Sequence, residues 1–210
     1  MKKLILTISL IGLTFGAFAQ LGIDAGVNLA KYKYAETTFD VERKTIMSYN
    51  FGLQYKKSLT EKLYLLPELS YTVKGTRIYY IYPIGFTGPM KRLNRLNYIQ
   101  LTIPAIVALP VNDEYDFEIG AAPFLGYLSG GKSETVEFDD STSERKFNST
   151  DFKKMDAGLQ FLIGFRLSKK LGFHFKYDWG LANVQYEVAD PNIKTRNVSF
   201  NMSWIFAKND

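Results

Sequence analysis

The sequence predicts an all-β protein, an eight-stranded antiparallel up-and-down transmembrane β-barrel. Three observations lead to this prediction: alternating segments recur along the chain, their connections are short or long in turn, and aromatic residues stand near the segment ends. A membrane barrel strand turns apolar side chains to lipid and polar ones to the lumen, so its sequence alternates with a period of two. We divide the chain into a signal peptide at residues 1–19 and an outer-membrane β-barrel domain at residues 20–210.

The N-terminus has the three parts of a secretory signal peptide. Lys2 and Lys3 precede an apolar run at residues 4–15, and A-F-A at residues 17–19 is a typical cleavage site. The alternative is a membrane anchor, but this run is shorter than the roughly 20 apolar residues that a spanning helix needs. We therefore expect export, with cleavage after Ala19 and residence in the outer membrane.

Eight segments alternate with a period of two, and the last of them is the clearest. Its apolar face and its polar face share no residue type. The apolar face carries Val198, Phe200, Met202, Trp204 and Phe206, and the polar face carries Ser199, Asn201 and Ser203. The other seven segments lie near residues 21–29, 49–55, 63–73, 98–109, 117–127, 157–167 and 171–179. Each alternation predicts a strand with two different surroundings.

The connections between these segments form two classes. Short turns are expected at residues 58–62, 110–114 and 168–170, and long loops at 32–48, 75–95, 129–152 and 183–194. Outer-membrane barrels have short periplasmic turns and longer extracellular loops. With an even strand count, both termini and all three short turns are expected on the periplasmic side.

The charged residues identify the lumen side of each strand. They share a face with glycines, whereas the opposite face is bulky, aromatic and almost uncharged. A soluble barrel would have the reverse polarity, so a membrane barrel is favoured. The predicted lumen polar network consists of Asp24, Glu68, Glu118, Arg166, His174, Lys176 and Asp178, with Lys56 and Lys74 on the same face. These charges could line a pore, but we favour a plug of salt bridges because eight strands leave no open channel.

Catalytic and metal chemistry have little support. His174 is the only histidine and the chain has no cysteine, which makes a zinc site improbable. His174 could act as a general base beside Asp178 or Ser203, but a lumen residue in a polar network is favoured. We expect no enzyme activity, no catalytic residue, no metal site and no cofactor.

Aromatic residues are expected to form two girdles at the membrane interfaces, where amphipathic rings concentrate. The chain has 14 Tyr and 16 Phe. The predicted girdle residues are Tyr49, Tyr71, Tyr127 and Trp179 near the long loops, and Trp204 and Phe206 near the other rim.

The loop at residues 75–95 combines basic and aromatic side chains. The candidate binding residues are Arg77, Tyr79, Tyr80, Tyr82, Lys91 and Arg92. This composition suits a partner protein, a glycan or lipopolysaccharide phosphates. An equally supported alternative is that these residues extend the neighbouring strands above the membrane.

Several stretches resemble an outer-membrane β-barrel family of Bacteroidetes, often called PorT-like. The stretches are GIDAGVNL at 22–29, LYLLPELSYTVKG at 63–75, YIQLTIP at 98–104 and YDWGLAN at 177–183. The chain departs from the last motif at Lys176, where the family has arginine. The resemblance implies an eight-stranded barrel in a Gram-negative outer membrane.

We expect a structural or surface-interaction protein of the cell envelope with a plugged lumen and extracellular binding loops. The alternative is an accessory factor for transport or protein secretion across the outer membrane. The expected partners are outer-membrane lipid, lipopolysaccharide and the barrel-assembly machinery during insertion. A surface or secretion-machinery protein is a further possible partner, and no nucleic acid is expected.

Overall fold

The computed structural model describes residues 19–34, 41–81, 90–112, 114–139, 141–146, 152–185 and 192–206. The predicted signal peptide up to Phe18 and the candidate residue Tyr82 lie outside these ranges. Within them, no helix has both the length and the apolar character needed to cross a membrane. The strands are β1 (Ala19–Tyr34), β2 (Val41–Lys44), β3 (Ile46–Ser58), β4 (Leu63–Leu65), β5 (Glu68–Tyr80), β6 (Lys91–Thr102), β7 (Ala105–Pro110), β8 (Tyr115–Val136), β9 (Thr142–Lys146), β10 (Met155–Leu167), β11 (Leu171–Gly180) and β12 (Ile193–Ile205).

These strands form a closed antiparallel ring with eight positions. Each position is called a stave and holds one strand or two strands that follow each other in the chain. The staves are β1, β2 with β3, β4 with β5, β6 with β7, β8, β10, β11 and β12 in turn. β1 and β12 close the ring, with Asp24 opposite Ser203 and Val27 opposite Phe200. Since closure pairs every stave on both sides, the barrel has no free edge in the membrane. The predicted fold class is confirmed.

Two staves are interrupted at prolines, which cannot donate to a ladder. Pro67 separates β4 from β5, and Pro104 separates β6 from β7. The carbonyls beside these breaks stay paired: Tyr55 donates to Pro67 O at 2.9 Å, and Leu66 donates to Pro104 O at 2.9 Å. The wall therefore stays hydrogen-bonded at each interruption.

The two faces of the wall differ as the alternation predicts. On β12, Phe200 and Met202 are exposed, whereas Ser199, Asn201 and Ser203 are buried. The same exposed apolar band continues around the ring, and its area is far larger than the apolar patches that monomeric soluble proteins expose. Close strand contact on the inner face requires glycine at some positions. A Cβ on Gly164 would stand 2.0 Å from the carbonyl oxygen of Phe173 in the next strand.

The three predicted short turns lie at one end of the barrel and agree with the prediction. They join β3 to β4, β7 to β8 and β10 to β11. In the last of these, Ser168 and Lys169 have φ of 47° and 59°. Left-handed residues of this kind match the twist of a tight hairpin.

The predicted long loops are wrong in extent, because much of their length is strand. β5 continues to Tyr80, β6 begins at Lys91, β8 continues to Val136, and β2 and β9 are additional strands. Polar side chains outnumber apolar ones on both faces of these segments, so their sequence loses the alternation while the backbone pairing continues.

Candidate functional site

The inner face of the barrel is filled with charged and amide side chains. All seven residues of the predicted lumen network are buried, with at most 6% of their surface exposed. They form three groups along the barrel axis, and β11 gives their order. His174, Lys176 and Asp178 are successive inward residues of this strand, and each belongs to a different group.

The lower group, nearest the short turns, consists of Glu118, Arg166 and His174. Arg166 donates from Nε to Glu118 Oε1 at 2.7 Å and from Nη2 to Oε2 at 3.2 Å. His174 Nε2 lies 2.6 Å from Glu118 Oε2 and donates to it, since an ionised carboxylate only accepts. The Glu118 carboxylate thus neutralises the Arg166 guanidinium, and the His174 imidazole adds a further hydrogen bond to the same carboxylate.

The middle group consists of Asp24, Glu68 and Lys176. Lys176 Nζ lies 2.7 Å from Glu68 Oε2 and 3.1 Å from Asp24 Oδ1. Asn201 also donates to Asp24, and it donates to Asn50 Oδ1 at 2.6 Å. The group therefore ties together β1, β3, β5, β11 and β12 across the lumen.

The upper group consists of Lys74, Asp156 and Asp178. Lys74 Nζ lies 3.0 Å from Asp156 Oδ2 and 3.7 Å from Asp178 Oδ2. The ammonium also stands over two aromatic rings, 4.3 Å from the centroid of Phe124 and 5.5 Å from that of Tyr98. Such cation–π contacts gain strength when the cation is desolvated.

Apolar side chains cover the upper end of this polar column and pack beside its lower part. The lower cluster contains Tyr64, Leu66, Ile106, Ala108 and Leu162. Leu162 pairs with Lys176 in the sheet and Ala108 pairs with Glu118, so this cluster lies level with the lower and middle groups. The mouth cluster, at the end opposite the short turns, contains Tyr32, Leu96, Tyr98, Phe152, Val184 and Ile193. On β12 the sequence of inward residues runs from Ile193 in the mouth cluster to Thr195 and Asn197 beside the upper group. The polar groups are therefore separated from the mouth by apolar packing.

The β5–β6 hairpin leans across the mouth instead of continuing straight up the wall. Val73 and Leu93 have the strand parity of lipid-facing residues, yet they are only 4% and 6% exposed. Leu93 packs with Ala30 and Ile46, which point inward from β1 and β3. The alternation of the predicted segment at residues 63–73 sets Val73 on the lipid face. The structure corrects this, because the hairpin has moved inside its neighbours at this height.

Beyond the mouth, five strands continue as one sheet on one side of the barrel. This rim sheet comprises residues 41–44, 75–80, 91–97, 130–136 and 142–146, and its strand order is β2, β5, β6, β8, β9. It contains Arg77, Tyr79, Tyr80, Lys91 and Arg92. The structure corrects the loop predicted for these candidate binding residues to paired strands, which is the alternative of a strand extension above the membrane.

The rim sheet divides the candidate residues between its two faces. Tyr79 pairs with Lys91, and Arg77 shares their face by strand parity. Arg92 lies on the other face, where its guanidinium is 5.8 Å from the ring centroid of Tyr80. The structure thus brings three candidates together on one face and two on the other.

Exposed ion pairs form a ladder on the rim sheet. Lys132 Nζ lies 3.0 Å from Glu144 and 3.2 Å from Glu134, and Arg95 lies 3.1 Å from Glu134. Hydrogen bonds to the Glu144 and Glu134 carboxylates raise the pKa of the Lys132 ammonium above 10.5. This ladder is called the rim ladder below.

The predicted girdle residues lie on the outer surface. Tyr49, Tyr127, Trp179, Trp204 and Phe206 are exposed, and Tyr71 is half-buried. The rings of Tyr49 and Tyr71 stack with centroids 6.3 Å apart. Trp204 and Phe206 lie toward the short-turn end, and Trp179 lies at the other end of its strand.

Sequence reasoning missed several members of the polar column. Asp156 lies just outside the predicted segment at residues 157–167, although it stands two residues before inward Gly158 and shares its parity. Asn201 lies on the polar face of the last predicted segment, and Gln100 has the polar, inward parity of the segment near residues 98–109, but uncharged amides give no reason to expect a network. Their contacts depend on which strands face each other across the lumen, which alternation does not encode.

Solved structures of similar shape are outer-membrane barrels of low sequence identity. Ail, the attachment invasion locus protein of Yersinia pestis, is 12% identical, with 90% of this chain and 99% of that chain covered and a TM-score of 0.44. Neisserial surface protein A is 12% identical over 89% and 97% of the two chains, with a TM-score of 0.47. OprG of Pseudomonas aeruginosa is 11% identical over 91% and 97%, with a TM-score of 0.43. These values carry no functional argument.

No curated protein matches the sequence. The family model described as outer membrane protein beta-barrel domain matches residues 14–186. This match covers most of the chain, from before the first strand to the connection that precedes the last one. The chain therefore belongs to the outer membrane protein β-barrel domain family.

Proposed function

We propose that this protein is a surface-interaction protein whose plugged barrel anchors the rim sheet at the outer surface of the outer membrane. The observation that carries the proposal is the asymmetry of the mouth. Five strands continue beyond it on one side, whereas β10, β11, β12 and β1 end near it. A wall of this kind presents side chains outward from a fixed base, and sites on rigid elements hold their geometry well.

Burial of the polar column supports an anchoring role for the barrel. The ammonium groups of Lys74 and Lys176 and the guanidinium of Arg166 are each at least nine-tenths buried. All three are engaged by carboxylates at 2.7–3.1 Å. The mouth cluster then covers the upper end of the column with apolar side chains. Such an interior favours a plug over a pore.

The composition of the β5–β6 hairpin supports an anionic ligand. Beyond the membrane band, residues 75–80 and 91–97 contain Arg77, Lys91, Arg92 and Arg95 and no acidic residue. Arg77 and Lys91 lie on the face that continues the lipid-facing side of the wall. Lipopolysaccharide phosphates surround the barrel at this height in an outer membrane. Charge-assisted hydrogen bonds from arginine and lysine are the expected mode of recognition.

The test is lipopolysaccharide binding by the folded barrel in detergent. We expect the triple variant Arg77→Gln, Lys91→Gln and Arg92→Gln to bind weaker than the parent, by about tenfold for each lost phosphate contact. The matched control removes three positive charges at the opposite end, by Lys62→Gln, Lys169→Gln and Lys170→Gln. Equal binding by parent and both triple variants would overturn the proposal.

The competing function is an accessory role in transport or secretion. Gentle co-purification from intact outer membrane separates the two. A secretion machine that co-purifies in fixed ratio, together with lipopolysaccharide binding that ignores the rim-sheet charges, would favour the accessory role. A steady conductance in planar bilayers would favour transport.

A further inference from the structure

The upper group of the lumen has more negative than positive charge. Asp156 and Asp178 share a single ammonium, that of Lys74, and all three side chains are at least nine-tenths buried. The lower group is balanced, because Glu118 faces Arg166. A buried charge without a partner is costly, so the extra negative charge of the upper group calls for compensation.

Three amide side chains converge on Asp178 from three strands. Gln160 Nε2 donates to Oδ1 at 2.7 Å, and Gln100 Nε2 and Asn197 Nδ2 approach Oδ2 at 3.4 and 3.5 Å. Gln160 and Asn197 flank Asp178 in the sheet, whereas Gln100 reaches it from β6. Since an ionised carboxylate only accepts, each amide must turn its NH₂ group toward Asp178.

This orientation leaves a set of oxygens without a partner. Gln100 Oε1, Gln160 Oε1, Asn197 Oδ1 and Asp156 Oδ1 are buried and accept no hydrogen bond. The oxygen and the nitrogen of an amide share one carbon, so an amide whose nitrogen contacts Asp178 also holds its oxygen close to that carboxylate. Exchanging N and O in any amide would set its oxygen against the carboxylate, which is less favourable. The surroundings of Asp178 therefore contain acceptor oxygens for which the described residues supply no donor.

We propose that the upper group binds one monovalent alkali cation beside Asp178, held by carboxylate and amide oxygens. Hard cations take several such oxygens as ligands. A single positive charge would balance two carboxylates and one ammonium, whereas a divalent ion would leave an excess of positive charge. The site is independent of the rim sheet and of its proposed ligand.

The middle group offers a poorer site, although it also has two carboxylates and one ammonium. Asn201 donates to Asp24 there, and its own oxygen accepts from Asn50 at 3.5 Å. The unpartnered oxygens of this region are Asp24 Oδ2, Gln54 Oε1, Thr102 Oγ1 and Ser203 Oγ. Since a hydroxyl can donate as well as accept, only the first two are acceptors alone, whereas all four unpartnered oxygens named in the upper group are. This difference places the cation in the upper group.

The experiment compares the folded barrel in sodium, potassium and choline chloride at constant ionic strength. We expect the thermal unfolding midpoint to rise and saturate with sodium or potassium, and to stay flat with choline, which is too large for the site. Sodium NMR line broadening by the folded barrel should follow the same saturation curve. Equal midpoints in the three salts, without line broadening, would overturn the proposal.

Two variants locate the effect. Asp178→Asn removes the excess negative charge and should abolish the alkali dependence, whereas the control Glu144→Gln, which removes a charge from the exposed rim ladder, should retain it. Gln100→Met removes one oxygen without a change of charge and should weaken cation binding by at least about tenfold. If Asp178→Asn does not fold, Gln100→Met decides: unchanged alkali dependence in that variant would contradict the site. Stabilisation by acid alone, with no alkali dependence, would assign the compensation to a proton and also overturn it.

Discussion

The lower group and the rim ladder contain the same kind of contact in opposite surroundings. Arg166 and Glu118 are 2.7 Å apart and fully buried. Lys132 and Glu144 are 3.0 Å apart, with 41% and 50% of their side chains exposed. The two distances are nearly equal, so a difference in what the two ion pairs contribute to stability must come from burial. Water screens and replaces the exposed pair, whereas nothing replaces the buried one.

The largest expected effect is the loss of one partner in the lower group. Arg166→Met leaves the Glu118 carboxylate buried with His174 alone, and removal of one partner of a buried pair costs about 3–5 kcal/mol. The free energy of unfolding, followed in lipid or detergent by the fluorescence of the two tryptophans, measures this loss.

The double variant Arg166→Met with Glu118→Gln tests the cause. It removes both charges, so it should recover a large part of the lost stability, because an uncharged pair needs no compensation. A double variant as unstable as Arg166→Met would mean that packing, and not the unpaired charge, dominates this group.

A smaller effect is expected at the lipid face, which is exposed like the rim but surrounded by hydrocarbon. Replacement of Trp204 and Phe206 by serine removes two aromatics near the short-turn end of β12. We expect a several-fold lower amount of folded protein in the outer membrane, because these rings anchor the interface and end the last strand. The measurement is heat-modifiable mobility of membrane fractions, with Ser199→Ala on the inner face of the same strand as control. Normal membrane levels of the double serine variant would refute the interpretation.

The smallest effect is expected in the rim ladder. Lys132→Gln should leave the unfolding midpoint unchanged within error, because exposed ion pairs contribute little. The raised pKa of Lys132 means that any contribution is complete below its unfolded value of 10.5 and is lost as pH rises through the higher folded value. Any contribution of the pair would be fully present from about pH 7 to about pH 9. Because we expect that contribution to be negligible, the midpoints of parent and variant should coincide in this range. A clear loss in this range would break the contrast with the lumen.

The alternation along the chain was sufficient to predict the barrel and the lumen side of each strand. Asp24, Glu118 and Lys176 could be placed inside because their neighbours at every second position are polar or glycine. The rim sheet escaped prediction because polar side chains predominate on both of its faces, and the few apolar ones, such as Leu93 and Leu96, do not alternate with them. Asp156 escaped for a related reason, since it stands where the alternation fades.

The sequence by itself determined the class of protein. A membrane strand must turn one face to lipid and the other to the lumen, and this requirement makes apolar and polar residues alternate with a period of two. Only the tertiary structure decided which inward residues meet. Lys74 and Asp156 are 82 positions apart in the chain, and Lys176 and Asp24 are 152 apart. Ring closure and strand register bring them within hydrogen-bond distance, and these depend on all staves together. The same closure sets two carboxylates beside a single ammonium and three amides around one of those carboxylates. It thus creates the charge imbalance from which the cation site is inferred.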